Sequence, residues 1–316
     1  MLPMKFTKKW AWENTWLVFS FTAYLVWPWM LALLTLPNLK NALAAVTSRT
    51  ILLVETFGTG WAFGALTFGL GVDMLGLALG FTVIIGLAAS AGSLIPLLVL
   101  RPEKLFEREG LLTVLGLTLV MAGIGLCSWA GKLRSEGPNP SLVPQKSYAI
   151  GLTVCVVSGL LSSCGNLGFA FGSEVVMKAI QEGAPETLAG NALWALITIP
   201  LFFFNLAYTI WLFSKRRTGT LFFAKGTTHY WMLGATMGLF WIAGFVCYAP
   251  GARSLGALGV SIGWSIMMSA MVITANLWGL LTGEWRGTPR RALEALAGGI
   301  AILIVAICVV GYANQG

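Results

Sequence analysis

Nine separate stretches of this chain are each apolar for about twenty residues, the length a helix needs to cross the hydrocarbon core of a bilayer. They run over 13–35, 50–70, 75–99, 111–131, 148–172, 190–213, 230–249, 254–281 and 292–312. In lipid a segment has to satisfy its own backbone donors and acceptors, so runs of this length fold as helices. The sequence therefore predicts an all-α, polytopic membrane helix bundle with nine helices. Composition agrees. Of 316 residues, 57% are hydrophobic and 10% charged, and the mean hydropathy is +0.81; a soluble domain carries about a quarter charged residues.

The connections are short, apart from the hydrophilic "GKLRSEGPNPSLVPQKS" (131–147) and the "SKRRTG" region after the sixth run. A net charge of +8 raises the question of nucleic acid, but the cations lie in the connections, as at Lys8, Lys9, Arg216, Arg217, Arg290 and Arg291. Membrane topology explains that placement and no nucleic-acid partner is expected. The N-terminal stretch and every second connection hold 13 of the 20 Lys and Arg, and the remainder hold 7, so the first set is expected on the cytoplasmic side. The expected location is the cell inner (plasma) membrane, with several passes and lipid as surroundings. The opening "MLPMKFTKKWAWE" has no apolar core of a cleavable signal. Five cysteines (Cys127, Cys155, Cys164, Cys247, Cys308) fall inside apolar runs without a CxxC pair, and read as small packing residues rather than disulfides or metal ligands.

One glycine-rich motif occurs twice. Shifting the sequence by 180 lays "WAFGALTFGLGVDMLG" (61–76) over "WIAGFVCYAPGARSLG" (241–256). Trp61 then meets Trp241, Gly64 meets Gly244, Gly71 meets Gly251, and Gly76 meets Gly256. Such internal similarity signals a repeat. An odd number of spans separates the two copies, so they cross the bilayer in opposite directions. Inverted repeats are a recurring plan of secondary transporters, which hold substrate near the midplane between the halves. The reading is a single transmembrane transporter domain over 1–316, with a first repeat in 1–131 and a second in 148–316. The second repeat has five apolar runs and the first has four, so a counterpart to 148–172 is expected upstream. An upstream frame encoding another apolar segment of about twenty residues is the test of that expectation.

The residues also resemble the bacterial L-rhamnose–proton symporter family of the drug/metabolite transporter superfamily. The resemblance is carried by "KKWAWE" (8–13), "PW" (28–29), "LPN" (36–38), "GW" (60–61), "FNL" (204–206), and His229. It continues with "LFW" (239–241), "YAPG" (248–251), Trp264 with Met268 and Ser269, and "EW....RR" (284–291). It implies ten helices in two five-helix inverted repeats, of which this chain lacks the first helix, and uptake of a deoxy-sugar coupled to protons. Glu55 and Gly244 stand where a rhamnose transporter of that family is apolar and polar, respectively. Those departures bear on which sugar is taken.

Acids inside the bilayer are functional candidates by default, because placing them there costs several kcal/mol. Glu55 lies about one turn inside the second run with Thr59 on the same face, and it is the leading proton-coupling candidate. A carboxylate removed from water holds its proton more readily, so such a group can load on one side and release on the other. Glu13 is the second candidate, although a carboxylate at a helix start also complements the helix dipole. His229 reads as interfacial, and Asp73 and Arg253, at matching positions of the two inverted turns, are expected in water on opposite membrane faces.

The substrate-binding candidates come from polar stripes and aromatic faces. Ser158, Ser162 and Asn166 share one helix face, as do Ser261, Ser265 and Ser269, with Asn276 further on. These faces either bond neighbouring helices or line a wet cavity. Serine can bond back to its own helix, whereas asparagine is expected not to, which favours Asn166, Asn205 and Asn276. Trp61, Trp241, Tyr248 and Trp264 supply the aromatic faces. The third and eighth runs, matched by the shift, are expected to face each other across the cavity.

No acid cluster suits a metal and no phosphate-binding glycine loop is present, so no cofactor is expected. The favoured function is a proton-coupled symporter importing a sugar, L-rhamnose or a related deoxy-sugar, by alternating access. The rival is a transporter of the same superfamily carrying another small metabolite, without obligatory proton coupling. A membrane enzyme is disfavoured, since one histidine and one acid within the spans do not make a reaction centre. Spacings such as Gly168 to Gly172 pack helices within a chain or between chains, so oligomeric state is not legible.

Overall fold

A computed structural model of the chain describes residues 4, 6–135 and 145–312, and much of the hydrophilic connection at 131–147 lies outside these residues. Among the described residues there is no strand, and nine helices are long and apolar enough to cross a bilayer. They are α1 (Trp12–Thr35), α2 (Ser48–Leu75), α3 (Leu77–Leu100), α4 (Arg108–Ser135), α5 (Tyr148–Gln181), α6 (Gly190–Arg216), α7 (Thr228–Ser254), α8 (Gly259–Leu281) and α9 (Arg290–Tyr312). The nine expected spans are all present.

Two helices differ from a simple apolar rod. In α1 the residues Thr22–Val26 form a π turn, in which the Trp27 N–H donates to the Thr22 carbonyl. Pro28 follows immediately; it has no N–H to give, and its ring crowds the carbonyl four residues earlier. Helix α5 runs beyond its expected end near 172. It breaks at Ser163 and at Gly172, then continues as Ser173–Gln181. That last piece, "SEVVMKAIQ", is amphipathic, with Val175 and Ala179 buried, so a search for uniform apolarity passes over it.

The chain divides into two compact units, each drawing helices from both halves of the sequence. The first holds residues 1–62 and 168–250, and the second 63–167 and 251–316. In the first unit α2 and α7 approach their neighbours through glycine. A methyl group on Gly58 would stand 2.5 Å from the Ile197 carbonyl oxygen of α6, and one on Gly238 would stand 2.8 Å from the Ala23 nitrogen of α1. Gly58 and Gly238 are matched by the shift of 180. The Trp27 indole donates to the Ala235 carbonyl (3.0 Å), and Asn191 donates to Thr35 (3.0 Å).

In the second unit α4 packs along α9. A methyl on Gly123 would meet Leu303 Cγ at 2.7 Å, and these two positions are again matched by the shift. Gly76 and Gly256, also matched, both turn with positive φ, at 81° and 66°. Only glycine takes that conformation without steric cost. The expectation that α3 and α8 stand across a cavity is not met. They pack directly, because Gly92 has no side chain and the Trp264 indole fills the space against it. Trp264 Nε1 donates to the Ala88 carbonyl at 3.0 Å.

Candidate functional site

The first unit contains a cluster of aromatic rings supplied by five helices. Trp61 of α2 stacks on Trp241 of α7, with centroids 5.7 Å apart and planes at 30°. Tyr24, presented by the π turn of α1, meets Trp241 edge-on at 4.8 Å. Trp194 of α6 stacks on Phe169 of α5 at 5.0 Å, and Tyr248 contacts both. Phe245 touches Trp61, Trp194 and Trp241. Rings in such offset and edge contacts gain about 0.5–1.5 kcal/mol per pair beyond area burial, which holds their faces in fixed directions. Trp61 and Tyr248 are buried, and Trp241 is half-buried.

Trp61, Trp241 and Tyr248 are recognisable from sequence, whereas Tyr24, Phe169, Trp194 and Phe245 join them only in the fold. A signal for Phe245 exists: Trp241, Phe245 and Tyr248 stand at i, i+4 and i+7, one face of a helix. Nothing in the local sequence marks Trp194 or Phe169, which arrive from distant helices.

Glu55 stands seven residues after the start of α2 at Ser48, hence about 10 Å along the axis. That is two turns in, deeper than the one turn expected, because the helix begins earlier than its apolar run. Glu55 and Thr59 are both half-buried. Glu13, in the first turn of α1, is fully buried. Its carboxylate accepts from Thr218 Oγ1 (2.7 Å) and from Arg216 Nη1 (3.2 Å). The neighbouring Asn14 donates to the Thr218 carbonyl (3.1 Å), so two adjacent residues tie α1 to the connection after α6. His229, Asp73 and Arg253 are exposed.

The asparagines depart from expectation. Asn205 Nδ2 donates to the Leu201 carbonyl four residues earlier (2.7 Å), while its Oδ1 accepts from Trp16 Nε1 (2.8 Å). Asn276 Nδ2 likewise donates to Val272 (2.9 Å). An asparagine amide does bond back to its own helix, leaving its oxygen for another partner. Asn166, fully buried, bridges α3 and the start of α8 through the Gly92 and Val260 carbonyls, at 2.8 and 3.1 Å. Ser158 donates to the Gly64 carbonyl (2.9 Å). Ser265 and Ser269, both fully buried, bond back to Ile262 and Ser265. Asn166, Asn205, Trp264, Ser265 and Ser269 thus serve as joints between or within helices here. Asn276 does line a cavity, in the second unit.

Among the described residues no group of three or more His, Cys, Asp or Glu could hold a metal ion. The five cysteines are free.

The nine apolar helices of the described residues, with their buried polar joints and a half-buried acid, define a multi-pass helical membrane protein. The family described as L-rhamnose-proton symport protein (RhaT) matches residues 1–315, and the chain belongs to it. It is therefore a transporter and not an enzyme. The L-rhamnose-proton symporter of Escherichia coli (strain 55989 / EAEC) is 29% identical over 318 residues, covering 98% of this chain and 92% of the relative. The L-rhamnose-proton symporter of Shigella boydii serotype 18 (strain CDC 3083-94 / BS512) is 28% identical over 318 residues, with the same coverage.

Proposed function

We propose that this protein imports L-rhamnose, or a closely related deoxy-sugar, together with protons by alternating access. The observation that carries the reading is the family match across residues 1–315. The aromatic cluster adds to it, since sugars present C–H faces that pack on aromatic rings. In this reading the faces of Trp61, Trp241 and Tyr248 contact the sugar, the buried polar joints at Asn166, Asn205, Trp264, Ser265 and Ser269 become available as helices move, and the half-buried Asn276 is a further sugar-binding group. Glu55 carries the coupled proton. Glu13, held by Arg216 and Thr218, is the second proton-coupling group.

The repeats at 1–131 and 148–316 are proposed to be related by a two-fold axis in the bilayer plane, as in the drug/metabolite transporter superfamily. A residue close to a two-fold axis touches its own counterpart. Trp61 with Trp241, and Gly123 with Leu303, do so in their respective units.

Uptake of labelled L-rhamnose by cells expressing the chain, with and without an uncoupler, tests the function. Uptake abolished by the uncoupler is expected. Uptake insensitive to it removes proton coupling, and absence of uptake removes the substrate.

A further inference from the structure

Two stretches far apart in the chain form one basic face at an end of the first unit. Lys8 and Lys9 precede α1, Lys215 and Arg216 end α6, and Arg217 and Lys225 lie in the connection to α7; all six are exposed. The stretches are joined directly. Lys9 Nζ donates to the Lys225 carbonyl (2.9 Å), and the Trp10 ring meets Phe222 and Trp231 edge-on at 5.1 and 5.6 Å. We infer that this face binds the headgroup of an anionic phospholipid, with the phosphate among the side chains of Lys8, Arg217 and Lys225.

Charge balance sets this end apart. Among the described residues its one acid is Glu13, which is buried and already held by Arg216 and Thr218. Residues 187–283 contain no Asp or Glu. At the other end of the unit Asn191 bonds Thr35 and Asn38 bonds the Glu182 carbonyl. There Lys40, Arg49 and Lys178 are matched by Glu174, Glu182 and Glu186. The side chains of Lys8, Arg217 and Lys225 have no ion-pair or hydrogen-bond partner among the described residues, so their charge is open to an anion.

Backbone geometry singles out Arg217. It follows the last residue of α6 with φ 55° and ψ 33°, and among the described residues it is the one non-glycine with positive φ. Helices commonly end in that conformation on glycine, which adopts it without steric cost. Arginine bears the cost, and no contact of its guanidinium within the chain offsets it. Membrane orientation depends on the number of cations alone. It requires neither their assembly on one face nor an arginine where glycine fits best.

The occupant follows from level as well as sign. Trp12, Tyr208, Trp211 and Trp231 are exposed at this end, and Phe223 is 89% exposed. Exposed Trp and Tyr mark the headgroup level of a bilayer. Lys215 lies over the Trp211 ring at 5.0 Å, which puts a cation at that level. Clusters of about four to eight Lys and Arg beside a membrane helix attract anionic lipid. A soluble acidic partner would leave rings such as Phe223 unused, whereas a lipid brings phosphate and acyl chain together.

The test uses the full chain in a neutral detergent, titrated with phosphatidylglycerol and followed by thermal unfolding. A saturable rise in Tm is expected with phosphatidylglycerol, and none with phosphatidylcholine at equal concentration. The rise is expected to fade toward about 1 M salt, where the screening length is about 3 Å. Lys8→Gln and Lys225→Gln are each expected to weaken the apparent affinity about five-fold. Arg217→Gly is expected to weaken it as much while leaving the lipid-free Tm unchanged or higher, which a merely structural arginine would not do. Lys40→Gln, at the other end of the unit, is the control and is expected to keep the unaltered affinity. An equal response to phosphatidylcholine, an unchanged affinity in the triple variant, or an equal loss in the Lys40 control overturns the inference. Inorganic phosphate that reproduces the rise overturns lipid as the occupant, and so does a polyglutamate peptide that acts at lower concentration than the lipid.

Discussion

The indole of Trp61 lies against the indole of Trp241, 5.7 Å between centroids and 30° between planes, and the two residues occupy the same position in the two copies of one sequence motif. Each partner buries the other's face, so the pair responds to any movement of α2 against α7.

Replacing either tryptophan by phenylalanine keeps an aromatic face but shrinks it. Trp61→Phe and Trp241→Phe are expected to raise KM for sugar uptake about three- to ten-fold with smaller effects on maximal rate, in line with about 0.5–1.5 kcal/mol per aromatic contact. Initial-rate uptake across a concentration series checks this. Unchanged KM in both variants would detach the pair from substrate binding.

Glu55→Gln removes the exchangeable proton while keeping the shape of the side chain. Accumulation driven by a pH gradient is expected to disappear, and exchange of labelled for unlabelled sugar to persist. Vesicles with an imposed pH gradient measure the first and counterflow the second. Persisting accumulation excludes Glu55 from coupling.

Glu13 is fully buried, whereas the Arg216 side chain is 56% exposed, so the two halves of this ion pair differ in what their loss entails. Arg216→Gln leaves a buried carboxylate with one partner fewer and is expected to lower stability by about 1–3 kcal/mol, below the several kcal/mol of a wholly buried pair because solvent screens the arginine. Glu13→Gln in the same chain is expected to recover part of that loss. Thermal unfolding of the two single variants and the double variant in one detergent measures the coupling.

A methyl at Gly58 or Gly238 would meet backbone of a neighbouring helix, the Ile197 carbonyl or the Ala23 nitrogen, as well as the Pro200 ring or the Thr22 hydroxyl, and backbone cannot swing aside. Alanine at either position is expected to destabilise by about 1–3 kcal/mol through overpacking and to reduce uptake. Gly244→Ala is the control, since its added methyl would meet nothing within 4 Å. Expression level and melting temperature of the three variants decide the matter.

The helices are legible in the sequence because apolarity over twenty residues has one structural solution in lipid. The duplicated motif is legible too: the shift that aligns Trp61 with Trp241 pairs two rings that touch, and it pairs Gly76 with Gly256, both of positive φ. The site is less open to such reading. Asn205 resembles a cavity residue because its amide has a free acceptor even when its N–H bonds back to the helix, but Trp16, nearly two hundred positions earlier, supplies the partner. Trp194 and Phe169 converge from different helices, and single-sequence periodicity has no access to such meetings.

The π turn at Thr22–Val26 makes α1 carry one residue more than an uninterrupted helix of the same rise would hold. In a regular helix one residue more or less turns everything after it by about 100°; a π turn takes up the extra residue locally. Deleting a single amino acid there would close the turn to an ordinary helix and leave Trp27 facing the Ala235 carbonyl it donates to, whereas the same deletion elsewhere in α1 would swing the end of the helix a quarter-circle. The surplus residue therefore works as slack in one rod, and this is the place where a length change of one does least harm.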